Sequence, residues 1–495
     1  MRGEVSKYRY LLVILALVLV FYMSYRPHLY VEHPMPLHAN EWRHLSETKM
    51  FLEGKVSYGN FVGLEIGFTI FLAFLKIIGF NFIKYHRFLA PVFACLGAFV
   101  LFNLIKRKTN FYTGLFAILF FAGIPSNLNI EGFTFFIPLT FAIPLIYLFV
   151  MLLTEGVEDN NTKKFTGAFL IALLTAFIHP MSLSFMIPIV IVYFLFNWKF
   201  VKKNKILILL SCLIPLIALP WAIWFLWKGS FLSTISFILN AFYFEWGYIG
   251  TVIEERNYFF PILYGWIPIA LAMAGVFFAV NNKKMKIFLI WILTVIILII
   301  FHTLFKFTLF ANYQRLLNYV MLGLAPLSAI GAYGILEFGF KSLKRKLDKR
   351  IIITIIVILI SLLSIDILYG FSKDNFQAYR FYSSIDDYDY DAYQYLDDFN
   401  STLVLLQRRR SYAFQFLTKH DSVACTPPGT NYCNLNPDSY KVNQFFYNET
   451  LNCKEKKDIV NNLNAEFIVS PANITCMWAK EIYRNKKIYV YEFIN

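Results

Sequence analysis

The sequence predicts a polytopic α-helical membrane protein of about eleven transmembrane helices, with a small extracytoplasmic α/β domain at its C-terminal end. Three observations predict it. The chain is 58% hydrophobic and only 16% charged over 495 residues, whereas a soluble protein is nearer half apolar and a quarter charged. Apolar runs close to the ~20 residues that cross a bilayer recur as far as residue 369. From about residue 372 the composition turns polar and holds four of the six cysteines.

The apolar runs are 10–25, 61–80, 88–105, 111–124, 133–153, 165–178, 181–198, 206–227, 261–280, 287–305, 315–336 and 351–369. Run 10–25 is followed by no small-residue cleavage site and reads as a retained anchor. Arg2, Lys7 and Arg9 place the N-terminus in the cytoplasm. Twelve crossings would return the C-terminus there. Cys425, Cys433, Cys453 and Cys476, an even set that suggests two disulfides of open connectivity, argue for the other side. So do the glycosylation sequons at Asn400, Asn448 and Asn473. One run therefore stays on one face.

The basic clusters show which. They are Lys106–Lys108, Lys163-Lys164, Lys199 with Lys202, Lys203 and Lys205, Lys283, Lys284 and Lys286, and the stretch from Lys341 to Arg350. All face the cytoplasm if run 61–80 does not cross, and all face outward if it does. That run also carries Glu65 and Lys76, which are costly at mid-bilayer. It is expected to be re-entrant or to lie on the surface. The expected domains are a membrane domain, 1–371, with a long first external loop, 26–87, and an extracytoplasmic domain, 372–495. The net charge of +15 is distributed as orienting loop charge, not as a nucleic-acid surface. Cys95 and Cys212 lie in apolar runs and read as core residues.

This topology puts further groups outside: Glu131 in the loop 125–132, His179 at a hairpin tip, Glu245 and Arg256 in the loop 228–260, and Lys306 and Arg315 at helix ends. In the C-terminal region, STLVLLQ, AEFIVS and the alternating KKIYVYEF predict strands, and SYAFQFLTKH a short helix. Asp387, Asp389 and Asp391 have the spacing of a calcium loop. They lack its glycine and closing glutamate, and read as the solvated acidic start of a helix.

The stretch PLHANEWRHLSETKMFLEG, residues 36–54, sits in the first external loop. As a helix over 38–52 it gathers Trp42, Leu45 and Leu52 within about 80°. Glu41, His44 and Thr48 fall on the adjoining arc. Such a helix is expected to lie on the membrane with its apolar side down and Glu41 at the boundary. His38, Glu41 and His44 form H-x-x-E-x-x-H, a spacing that scatters zinc ligands around a helix.

The long first loop, the many spans and the external α/β tail together resemble the GT-C superfamily of membrane glycosyltransferases. NEWRHLSETKMFLEG is similar to its first-loop pattern of an acid, an aromatic and an a-x-x-l-x-x-G ending. The resemblance implies a polyprenyl-phosphate-linked sugar donor and a catalytic carboxylate at Glu41, where the family more often has aspartate. Arg315, in RLLNYVMLGLAPLSAIGA, resembles a late-helix arginine that meets the donor phosphate, although Asn318 and Tyr319 interrupt the pattern. No W-W-D-x-G motif is present, which disfavours transfer of whole glycans to asparagine.

Chemistry points the same way. A sugar phosphate already carries a good leaving group, so the attacking hydroxyl chiefly needs a base. The departing phosphate needs fixed positive charge or hydrogen bonds, for which Arg315, Lys306, Arg256 and His179 are candidates. Glu131 is a second catalytic candidate, able to orient the acceptor or hold a divalent metal, and His44 and Glu245 are acceptor contacts. The sequence fixes no cofactor, and a divalent metal is the one candidate. The expected partners are the donor, an acceptor lipid, glycan or protein, and membrane lipid, with no nucleic acid. A transporter or flippase would show internal repeats and mid-membrane charges, which the sequence lacks. A non-catalytic relative is compatible with the same layout.

Overall fold

The computed structural model describes residues 2–29, 31, 33–54, 65–124, 133–209, 264–280, 282–305, 310–311, 313–342, 351, 354, 358, 385–423 and 438–494. Contacts divide the chain into two compact units: 1–30 with 87–377, and 31–86 with 378–495. The long first loop thus shares a unit with the C-terminal segment.

The first unit is helical. In chain order it holds α1 (Arg2–Tyr25), α5 (Leu89–Lys108), α6 (Phe111–Gly123), α7 (Pro138–Glu158), α8 (Thr162–Ile178), α9 (Pro180–Phe196), α10 (Trp198–Lys203), α11 (Trp266–Val280), α12 (Lys286–Phe305) and α13 (Tyr313–Ser342). Among the described residues five helical segments are long and apolar enough to span a membrane: Arg9–Leu29, Phe82–Lys108, Pro138–Glu158, Lys286–Phe305 and Arg315–Ser342. The chain is a membrane protein. The expected runs 206–227 and 351–369 lie largely outside the described residues.

Two ends of this unit can be told apart. At one end Arg9 lies over the Phe111 ring at 5.5 Å, Arg107 pairs with Glu155 at 3.0 Å, and Lys164 pairs with Glu155 at 2.8 Å. The N-terminal basic residues and the clusters at 106–108 and 163–164 therefore share an end. At the other, Tyr25 stacks on Phe88 at 5.4 Å, and the Ser24 hydroxyl donates to the Phe133 carbonyl. α1 and α5 are thus antiparallel neighbours. α11 and α13 pack backbone to backbone: a Cβ on Gly275 would collide with the Leu327 carbonyl oxygen, and one on Gly331 with that of Leu271. Small residues at such a crossing are the usual means of close helix contact in lipid.

The second unit contains α2 (Ala39–Leu52), α3 (Ile66–Ile77) and α4 (Phe82–Tyr85) from the first loop. α3 has 12 residues, about 18 Å, well short of the ~30 Å hydrocarbon core. The remainder is α14 (Asp387–Asp397), β1 (Leu403–Leu406), α15 (Arg408–Leu417), β2 (Asp421–Ser422), α16 (Asp438–Tyr447), α17 (Cys453–Asn462), β3 (Phe467–Ser470), β4 (Ala479–Arg484) and β5 (Tyr489–Phe493). The sheet runs β2-β1-β3-β5-β4, parallel from β2 to β3 and antiparallel from β3 to β4. Leu405, Ile468, Val442, Phe445, Val460 and Tyr491 form a core between sheet and helices.

Three expected strands and the short helix form as β1, β3, β5 and α15; β2, β4, α16 and α17 were not anticipated. β5 does not alternate strictly. It lies between β3 and β4, and consecutive Val490 and Tyr491 are both buried. Cys453 and Cys476 form a disulfide that ties the start of α17 to the approach to β4. Cys425 and Cys433 lie outside the described residues. Asn400 and Asn473 are exposed, and the Oδ1 of Asn448 accepts from Thr450 of its own sequon at 2.7 Å.

Two expectations are corrected. The apolar side of α2 is covered except at its end: Trp42 and Leu45 are 0% exposed while Leu52 is 41% exposed, and the neighbouring arc of Glu41, His44 and Thr48 is buried as well. α15 covers it, with Trp42 and Phe416 ring centroids 5.9 Å apart and Ser46 bonded to Gln415. Nor is the start of α14 wholly solvated. Asp386 caps it in a capping box with Asp389, and Asp389 is buried against Arg410 at 2.9 Å.

Candidate functional site

In the second unit the site builds outward from the start of α2. His38 takes the N-cap position, and its Nδ1 accepts from the Asn40 amide at 3.1 Å. Glu41, three residues on, completes a capping box. Its Oε2 accepts from the backbone amides of His38 at 2.9 Å and Leu37 at 3.0 Å. The first-loop acid is thus locked in place by its own helix start, with one oxygen committed to backbone. The other oxygen, Oε1, lies 3.5 Å from Nδ1 of His86. Both side chains are buried.

His44 lies one turn further along. Its Nδ1 is 3.3 Å from Glu47, its Nε2 is 3.8 Å from Glu65, and its ring stands edge-on to Phe68. Burial pushes the Glu47 carboxyl up. The adjacent Arg43 guanidinium, 2.8 Å away, and the His44 hydrogen bond outweigh that, so the net shift is downward. Glu65, the charge that made run 61–80 unfit to cross, thus has a histidine beside it. His86 was missed by sequence reasoning. It sits among aromatic and basic residues where the loop ends, and no local pattern links it to a residue 45 positions earlier.

In the first unit His179 ends α8 and begins α9. Its Nδ1 is 2.7 Å from the Ser182 hydroxyl, which is 2.9 Å from the Tyr319 hydroxyl on α13. The Tyr319 ring stacks on Phe185 at 4.0 Å. Arg315, half-buried, lies in the first turn of α13, four residues before Tyr319 and so on the same face. The residues that interrupt the expected arginine pattern therefore include one end of a buried polar chain leading to His179. Ser182 was not anticipated, and its only sequence signal is its place in the turn after His179-Pro180.

Glu131, Glu245, Arg256 and Lys306 lie outside the described residues. Among the described residues no group of three or more His, Cys, Asp or Glu side chains converges as a metal site.

No family model and no curated protein sequence matches the chain. Solved structures do match. ArnT from Cupriavidus metallidurans bound to undecaprenyl phosphate aligns at a TM-score of 0.63 and 10% identity, over 98% of this chain and 98% of its own. The same protein in the apo state aligns at 0.62 and 11%, over 99% and 98%. The archaeal oligosaccharyltransferase AglB from Archaeoglobus fulgidus, in complex with an inhibitory peptide and a dolichol-phosphate, aligns at 0.57 and 10%, over 94% of this chain and 69% of its own. The chain has the fold of these GT-C glycosyltransferases over nearly its whole length.

Proposed function

We propose that the protein is an inverting glycosyltransferase that moves a sugar from a polyprenyl-phosphate donor to an acceptor hydroxyl on the extracytoplasmic face. The acceptor oxygen attacks the anomeric carbon from the side opposite the phosphate. The bond from that carbon to the phosphate oxygen breaks, the polyprenyl phosphate leaves as an anion, and configuration inverts. The hydroxyl proton passes to the Glu41 carboxylate. Arg315 balances the charge of the departing phosphate. Structural neighbours bound to undecaprenyl phosphate or in complex with a dolichol-phosphate support this donor class.

The observation that carries the reading is the setting of Glu41: buried, held by two backbone amides on Oε2, with His86 beside Oε1. A capping residue alone needs no imidazole partner. The test is Glu41→Gln. Glutamine fills the same capping role, so folding should be retained. Loss of transfer from a polyprenyl-phosphate sugar, with a normal melting curve, is the expected outcome. Full activity would reduce Glu41 to a helix cap.

A further inference from the structure

The second turn of α13 holds a side chain that the protein leaves unsatisfied. Asn318 is 0% exposed, and among the described residues neither its amide nitrogen nor its amide oxygen has a hydrogen-bond partner. The surrounding backbone is engaged elsewhere: the Leu317 carbonyl accepts from the Tyr264 hydroxyl at 2.8 Å, and the Tyr319 carbonyl from Trp291 Nε1 at 2.9 Å. Arg315 lies three residues earlier, so the guanidinium and the amide share a helix face. Buried side-chain amides are nearly always paired, and an apolar residue of similar volume would fit this bundle without the desolvation penalty. Asparagine inside a membrane bundle ordinarily hydrogen-bonds across helices, so one with no such bond has its hydrogen-bonding groups left for a ligand.

We infer that Asn318 reads the sugar: its amide hydrogen-bonds hydroxyl groups of the saccharide on the lipid-phosphate donor, beside the phosphate held by Arg315. This rests on the donor class proposed above. Hydrogen-bond satisfaction selects the ligand. The amide offers two N–H donors and one carbonyl acceptor. A phosphodiester only accepts, and would leave Oδ1 unmet. A sugar hydroxyl donates and accepts, so two adjacent hydroxyls satisfy both ends. Arg315 has donors only, which suits the phosphate.

The test uses the full chain in detergent micelles, with tryptophan fluorescence titrated against bare polyprenyl phosphate and against the same lipid carrying mannose, glucose or galactose. Wild-type protein is expected to bind at least one sugar-bearing lipid about tenfold tighter than the bare lipid. Asn318→Leu should bind the bare lipid within about twofold of wild type and lose that preference. Its ligand-free melting temperature should rise, because an unmet amide is removed. Asn318→Ala repeats the binding test should the leucine variant misfold. The inference is overturned if the variants keep the preference, if wild type has none, or if bare-lipid binding falls as much as sugar-lipid binding. In each of those cases, binding of the bare lipid by wild type leaves the donor reading standing. Wild-type protein that binds none of the lipids overturns both.

Discussion

Nδ1 of His86 lies 3.5 Å from Oε1 of Glu41, and the two residues close the first loop from its opposite ends. His86 is a positioning residue in this arrangement: its ring stands beside the second carboxylate oxygen of the proposed base. His86→Phe keeps an aromatic ring without a nitrogen. It is expected to lower kcat/KM by about ten- to a hundredfold and to displace the pH profile of kcat/KM, with polyprenyl phosphate affinity unchanged. His86→Gln should restore part of the rate. An unmoved pH profile in both variants would separate His86 from the chemistry.

Lys49 caps a helix belonging to the other end of the chain. Its Nζ donates to the carbonyls of Gln415 at 2.9 Å, Phe416 at 3.4 Å and Thr418, at the last turn of α15. A cation there meets both the unpaired carbonyls and the helix dipole. Lys49→Ala should destabilise the second unit by about 1–3 kcal/mol. Hydrogen exchange should then quicken in 39–52 and in 408–417 together; a change in only one segment would contradict the coupling.

The Cys453–Cys476 bond closes a sequence separation of 23 residues. A loop of that length is worth about 3 kcal/mol through the unfolded chain. The double variant Cys453→Ser, Cys476→Ser should lower the urea midpoint of the second unit without altering the first. Trp478, whose Nε1 donates to the Cys453 carbonyl at 2.8 Å, is a local fluorescence reporter.

Burial raises the Asp389 carboxyl from its ordinary 3.8 to about 6, against the opposing pull of Arg410. The sign follows from linkage. The unfolded chain releases this proton first as pH rises, so the favourable contribution is complete below about pH 4 and is lost by about pH 6. Its size is roughly 2–3 kcal/mol. Asp389→Asn keeps an acceptor for the Asp386 amide, bonded at 3.1 Å. It should remove this slope and leave stability at pH 7.5 equal or higher. Thermal unfolding between pH 4 and 8 checks it; an unchanged slope would contradict the raised value.

Much of the candidate site was legible because it is local. The helix predicted over 38–52 forms as Ala39–Leu52, with Glu41 in its first turn. The charge of Glu65 within an apolar run marked that run as unusual, and Glu65 lies 3.8 Å from His44 at the start of the 12-residue α3. What was not legible is long-range. Nothing near Glu41 announces His86, and nothing near Arg315 announces the chain from Tyr319 through Ser182 to His179.

By itself the sequence determined the membrane class, the shared end of the early basic clusters, the short α2 and the α/β character of the tail, because hydropathy, charge and turn chemistry act over a few residues. Tertiary structure alone decided which faces are covered. The amphipathic pattern of α2 suits a lipid surface and a protein surface equally well, since both reward burial of Trp42 and Leu45. Only the arrival of α15, from 369 residues away along the line from Ser46 to Gln415, selected protein.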